Sequence, residues 1–145
     1  MKIRDIMNIN ATRIQVGTTL RHAAEQFIFT GASDLVAVDA EGNFVGVLSE
    51  GDVMRAALPQ LTEVLEAGGS LSDAYDLFQE KGRTLADQPI DTYIIRNPIT
   101  LSPNDDVQKA ATIMATKQIR RLPVVESGRL AGTVSRADVC RAVFR

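Results

Sequence analysis

The chain alternates short apolar runs with polar breaks, and the spacing of the runs predicts its elements. Leu20, Ala23, Ala24, Phe27 and Ile28 recur at helical spacing, so a helix is expected over residues 19–29. Residues 35–39 and 44–49 are β-branched or aromatic runs joined by Ala40-Glu41-Gly42-Asn43, a hairpin signature. A helix over 50–58 follows and ends before Pro59. Ahead of these, residues 3–7 read as a short amphipathic turn and 14–16 as an extended piece.

The pattern then returns. Leu20, Ala23, Ala24 and Phe27 fall on Val107, Ala110, Ala111 and Met114, each 87 positions later, and the same offset pairs Ile3 with Ile90 and Leu35 with Leu122. After Asp39 the offset drops to 86, which pairs Gly42 with Gly128, Gly46 with Gly132 and Asp52 with Asp138. The lost residue falls in a turn, where a hairpin tolerates it. In the second copy residues 99–101 are expected to be extended. Ser102-Pro103-Asn104-Asp105 should start a helix that runs to about Thr116, with Pro near its first position. Residues 122–126 and 130–135 are the hairpin strands, and 136–144 the last helix.

This gives an α/β fold of two repeats, residues 1–59 and 87–145, each ordered strand, helix, strand, strand, helix. Neither is large enough to bury its own apolar faces, so the two should pack on each other in pseudo-twofold fashion. Residues 60–86 have no counterpart and form a helical insert. Leu61, Val64 and Leu65 suit a short helix stopped by Gly68-Gly69. Ser70 then caps a second helix with Leu71, Ala74, Tyr75 and Phe78 at helical spacing up to Lys81-Gly82. Its apolar stripe is read as a connector packed on the repeats, or as a partner contact.

Gly132-Thr133-Val134-Ser135-Arg136-Ala137-Asp138 repeats Gly46-Val47-Leu48-Ser49-Glu50-Gly51-Asp52. Each is a strand-to-helix turn with two readings. The free N–H groups and dipole of a helix start can bind an anion. Equally, Ser-x-x-Asp can be a capping box and nothing more.

Composition narrows the field. With 45% hydrophobic and 23% charged residues in 145, the chain reads as one ordinary globular protein. No apolar run approaches the roughly 18 residues that cross a bilayer, and Met1-Lys2-Ile3-Arg4-Asp5 leads into no signal-peptide core, so a cytoplasmic protein without a membrane role is expected. Cys140, the single cysteine, excludes an internal disulfide and is expected to be a small buried hydrophobe. His22, the single histidine, is expected at the surface or in a cap, and no cluster of metal ligands exists.

Residues 1–86 hold 7 Lys and Arg against 12 Asp and Glu, net −5, whereas residues 87–145 hold 9 against 6, net +3, so an anionic ligand favours the second half. No dense basic face and few aromatic residues argue against nucleic acid. The single unpartnered histidine and the lack of a Walker-type loop argue against an enzyme.

Arg4-Asp5-Ile6-Met7, Asn97-Pro98-Ile99-Thr100, Arg121-Leu122-Pro123-Val124-Val125 and the two Gly-x-x-Ser-x-x-Asp turns together resemble tandem CBS (cystathionine-beta-synthase) domains, whose pair forms a Bateman module. The resemblance covers residues 3–58 and 90–144. It implies a non-catalytic regulatory module, a free-standing sensor that binds AMP, ADP, ATP or a related adenosyl ligand such as S-adenosylmethionine or NAD. It further implies a homodimer and a protein partner that receives the signal. The rival reading is a ligand-free interaction module.

The implied ligand residues of the second repeat are Thr100 beside the adenine, Arg120, Arg121 and Arg136 near phosphate, Pro123, Ser135 at the helix start, and Asp138 on the ribose hydroxyls. Two adjacent hydroxyls suit one carboxylate. For Arg120 and Arg121 a solvated loop is the alternative. The first repeat offers Ser49 and Asp52, but it carries Arg13, Ser33, Asp34 and Val36 where the second has Thr100, Arg120, Arg121 and Pro123. It is expected to bind more weakly.

Overall fold

The computed structural model describes residues 1–145. Its elements are β1 (Arg13–Gln15), α1 (Leu20–Thr30), β2 (Asp34–Val38), β3 (Phe44–Ser49), α2 (Glu50–Ala57), α3 (Leu61–Glu66), α4 (Leu71–Leu85), β4 (Ile95–Arg96), α5 (Val107–Lys117), β5 (Arg121–Glu126), β6 (Arg129–Ser135) and α6 (Arg136–Val143), with 3-10 turns at Ile3–Asp5 and Ile90–Tyr93. One sheet runs β1-β2-β3-β4, with β1 parallel to β2 and β4 antiparallel to β3; β5 and β6 form a separate antiparallel pair. No helix is long and apolar enough to cross a membrane.

The chain divides into two compact units, and each draws on both repeats. The first comprises Met1–Gln15, Val36–Val47 and Ile95–Arg145; the second comprises Val16–Leu35 and Leu48–Ile94. The core of the first unit gathers Ile3, Leu101, Val107, Ala110, Met114, Leu122, Val124 and Val134. A smaller cluster joins Val36, Val38 and Phe44 of the first hairpin to Leu130 of the second, and the Phe44 N–H donates to the Gly128 carbonyl at 2.9 Å.

The leading segments are exchanged. In the first unit the start of the chain seals the start of α5: Ile3 N–H donates to the Asp105 carbonyl at 2.8 Å, and Val107 N–H to the Met1 carbonyl at 3.1 Å. In the second unit the corresponding residues seal the start of α1: Ile90 N–H donates to the Thr18 carbonyl at 2.8 Å, and Leu20 N–H to the Gln88 carbonyl at 2.9 Å. Every donor and acceptor in one set maps onto the other by the 87-residue offset, so the duplication extends to individual hydrogen bonds.

Helix α1 buries Leu20, Ala23 and Phe27, is capped by Thr19, whose side chain accepts from the His22 N–H at 3.2 Å, and ends on Gly31 in the left-handed region (φ 65°). Position 118 is the counterpart of Gly31 and holds Gln118 at φ 56°. Left-handed backbone presses a Cβ against the carbonyl, a strain that glycine lacks. Gln118→Gly is therefore expected to raise the unfolding free energy by roughly 0.5–1 kcal/mol. A denaturation midpoint that stays put or falls would show that the tertiary setting has already relieved the strain.

Several expectations change. Helix α5 starts at Val107, four residues beyond Pro103, because Ser102–Asp105 closes on itself: Ser102 N–H reaches the Asp105 carboxylate at 2.8 Å and Asp105 N–H reaches the Ser102 carbonyl at 3.0 Å. Helix α4 runs through Gly82 to Leu85 and ties back to α3 by a 2.8 Å Lys81–Glu63 ion pair. The insert stripe packs only in part, since Ala74 and Phe78 are half-buried whereas Leu71 and Tyr75 are 92% and 58% exposed. Ile28 follows Phe27 by one helical step and turns to the surface at 82% exposure. Cys140 is exposed rather than buried, since Val139 next to it is the residue that α6 lays on the core.

Candidate functional site

The seven candidate residues of the second repeat all lie in the first unit, and the β5–β6 hairpin organises them. Its ladder pairs Arg121 with Ser135, Leu122 with Val134, Pro123 with Thr133 and Val124 with Gly132. Alternation sends Leu122, Val124 and Val134 into the core, where each is at most 1% exposed. The opposite face therefore carries Arg121, Pro123, Thr133 and Ser135. Leu101 joins β5 by a parallel bridge to Val124, with its N–H on the Pro123 carbonyl at 2.9 Å, and its own side chain is buried. Thr100, one step earlier, shares the face of Pro123.

That face is closed over Pro123 and Thr133, both buried, and opens at Arg121 and Ser135, both half-buried. Arg121 Nη1 donates to Thr133 Oγ1 at 3.3 Å. Thr133 was not among the residues singled out from the sequence. The signal was present, since Thr133 stands in strand phase with Ser135, two residues before it.

Ser135 ends β6 and caps α6. Its hydroxyl accepts the Asp138 N–H at 3.1 Å, while Asp138 Oδ2 accepts from Ser135 N–H at 2.8 Å and from Ser135 Oγ at 2.9 Å. Both readings of Ser-x-x-Asp thus meet in one geometry. The capping box is formed, and it turns the other oxygen, Oδ1, outward, with Arg141 Nη2 at 3.7 Å. Asp138 lines a cavity of about 240 Å³ with Met1, Asp5, Ile6, Arg141, Ala142 and Arg145. Arg141 and Ala142 follow Asp138 at helical spacing on α6, and Arg145 lies two residues past the end of that helix.

Arg120 and Arg136 serve the turn. The Arg136 N–H donates to the Arg120 carbonyl at 3.0 Å, and Arg136 Nε donates to the Ile119 carbonyl at 3.0 Å. The first N–H groups of α6 at Arg136 and Asp138 are consequently occupied within the fold. Of the basic groups near the turn, Arg121 is the one oriented by a buried side chain.

Ser49 and Asp52 lie in the second unit and are arranged differently. Ser49 still caps, accepting the Asp52 N–H at 3.1 Å, but the Asp52 carboxylate swings to Arg55, with Nη2 at 2.6 Å from Oδ1, and no capping box forms. The Arg55 hydrogen bond holds the Asp52 carboxyl below the usual carboxylate range, with Ser49 adding to the effect.

Residues 3–59 and 90–145 match the CBS domain. An uncharacterized protein of Methanocaldococcus jannaschii, MJ1225, is 26% identical over 136 residues, and the A-adding tRNA nucleotidyltransferase of Aquifex aeolicus is 27% identical over 143 residues. The matches take in 94% and 99% of this chain but only 40% and 14% of those proteins. Among solved structures, CBSX2 in complex with AMP superposes with a TM-score of 0.75 at 20% identity, covering 99% of this chain and 96% of that one. The CBS domain pair of MJ0100, in complex with methylthioadenosine and S-adenosylmethionine, superposes at 0.67 and 21%, covering 98% and 94%. At this identity the likeness establishes the fold.

Proposed function

Since the chain belongs to the CBS-domain family and carries two of its repeats, we propose that it is a regulatory module that binds an adenine nucleotide or a related adenosyl ligand through its second repeat. Residues 1–59 and 87–145 serve as the repeats and 60–86 as the insert. The observation that carries the reading is the Asp138 geometry. Ser135 holds one carboxylate oxygen, and the other, with Arg141 Nη2 at 3.7 Å and so beyond hydrogen-bond distance, is left to accept hydroxyl donors, as a ribose diol requires. Arg121 sits across the ladder from Ser135 and supplies positive charge for phosphate, with Arg120 and Arg136 flanking, while Thr100 and Pro123 line the same face. The adenosyl ligands held by CBSX2 and the MJ0100 pair support the ligand class.

The output is regulation through a protein partner and not catalysis. A homodimer would cover apolar residues such as Phe144 at the end of the last helix, which is 83% exposed. The reading of the protein as a plain interaction module has one observation in its favour, because both Ser135 and Ser49 do cap their helices. Thermal unfolding with AMP, ADP or ATP separates the two, since a ligand that binds only the native state must raise the midpoint.

Calorimetry on two variants tests the site. Asp138→Ala is expected to weaken AMP binding roughly 10- to 100-fold, the range of one charged hydrogen bond. Asp52→Ala should change affinity little, because Arg55 already occupies that carboxylate. Equal losses from both would defeat the assignment to the second repeat.

A further inference from the structure

Thr133 is a buried polar side chain on the face of the hairpin opposite the core, with 1% of its surface exposed. Burying a hydroxyl is unfavourable unless it is hydrogen-bonded, so its partner matters. That partner is Arg121, whose Nη1 lies 3.3 Å from Thr133 Oγ1. The two belong to neighbouring strands two ladder steps apart, Arg121 opposite Ser135 and Thr133 opposite Pro123, so the bond runs diagonally across the face that holds the candidate site.

The duplication supplies an internal comparison. Counterparts of Arg121 and Thr133 in the first repeat are Asp34 and Val47, so the hydroxyl occurs in the copy that has the arginine and is replaced by an isosteric methyl in the copy that lacks it. A structural demand common to both hairpins would have served either residue equally well in both places.

We infer that Thr133 is a positioning residue, which holds the Arg121 guanidinium in place for the phosphate of the nucleotide. The inference rests on the reading of Arg121 as the phosphate contact. Its physical content lies in the choice of a hydroxyl. A carboxylate in the same place would orient the arginine but neutralise it. A hydroxyl accepts one N–H, leaves four of the five donors, and leaves the full charge for an anion. An arginine held before the anion arrives also loses less rotamer freedom on binding.

Calorimetry with AMP and with adenosine, on the full chain, tests this. Thr133→Val deletes the hydroxyl at constant shape. It is expected to weaken AMP binding about 3- to 10-fold, the range of a single hydrogen bond, and to leave adenosine binding within about twofold. Thr133→Ser should keep the AMP affinity of the parent protein, and thermal unfolding of Thr133→Val should show no loss of midpoint. Thr133→Ala removes the same hydroxyl without the added methyl and gives a second reading. Arg121→Ala should lower the AMP-to-adenosine preference at least as far, and the double variant should be no weaker than Arg121→Ala alone, because the two act as one unit. If Arg121→Ala lowers that preference and Thr133→Val does not, or if their effects simply add, the positioning role is overturned. If Arg121→Ala leaves the preference unchanged, or the parent protein binds no AMP, the phosphate reading fails and the inference fails with it.

Discussion

Ile3→Ala is expected to lower the unfolding free energy by about 2–5 kcal/mol, the range for emptying a fully buried aliphatic site. The third residue of a chain ordinarily frays and tolerates change. Here Ile3 is fully buried, packs with Leu101, Val107, Ala110 and Met114, and anchors its N–H to the Asp105 carbonyl at 2.8 Å. Against a typical total stability of about 5–15 kcal/mol, the loss is large. Urea unfolding at unchanged m-value reads it directly. A loss below about 1 kcal/mol would show that the segment is not seated in solution. Ile90, also fully buried, is the counterpart in the second unit, and its alanine variant should behave alike.

Gly132→Ala is the second expected large effect, through space rather than dihedral freedom. A Cβ at Gly132 would lie 2.7 Å from the Asn8 carbonyl oxygen and 3.2 Å from its carbon, both backbone atoms that no rotamer change can move. The neighbouring pair, Asn8 N–H to the Thr133 carbonyl at 2.8 Å and Thr133 N–H to the Asn8 carbonyl at 3.1 Å, would have to open. Overpacking of this kind costs about 1–3 kcal/mol. Hydrogen exchange gives the specific signature, with faster exchange at the Asn8 and Thr133 amides than at the Leu122 amide, two ladder steps from Gly132. Uniform loss of protection would mean that the clash is absorbed elsewhere.

These two sites mark where sequence reasoning stops. Helices α1, α2 and α6 and the strands of both hairpins fall within a residue or two of their expected bounds, because periods of 3.6 and 2 are local signals. The Ser135–Asp138 box was legible for the same reason, since capping needs only residues three apart. The start of α5 was not, because the Met1 carbonyl that takes the Val107 N–H comes from the far end of the chain. Nor was the difference between Asp138 and Asp52. The copies share Ser, Asp and, three residues later, Arg, yet one carboxylate folds back on its serine and the other on its arginine. Such choices are made by whole surroundings, which a motif does not contain. Thr133 was missed because an isolated threonine in a strand is unremarkable until its partner is known.

The exchange of leading segments bears on how the protein is made. At translation speeds of roughly 5–20 residues per second, Met1 leaves the ribosome about 5–20 s before Val107, the residue whose amide it must close. Helix α1 likewise waits for Gln88 to complete its first turn. The second unit has all its residues once Ile94 has emerged, but the first needs residues 95–145, so the nascent chain carries a bare Ile3 until these are made. Cotranslational folding should therefore come in two steps, the second unit before the first, and a ribosome stalled near residue 86, short of both, should display a chain that proteases still cut freely.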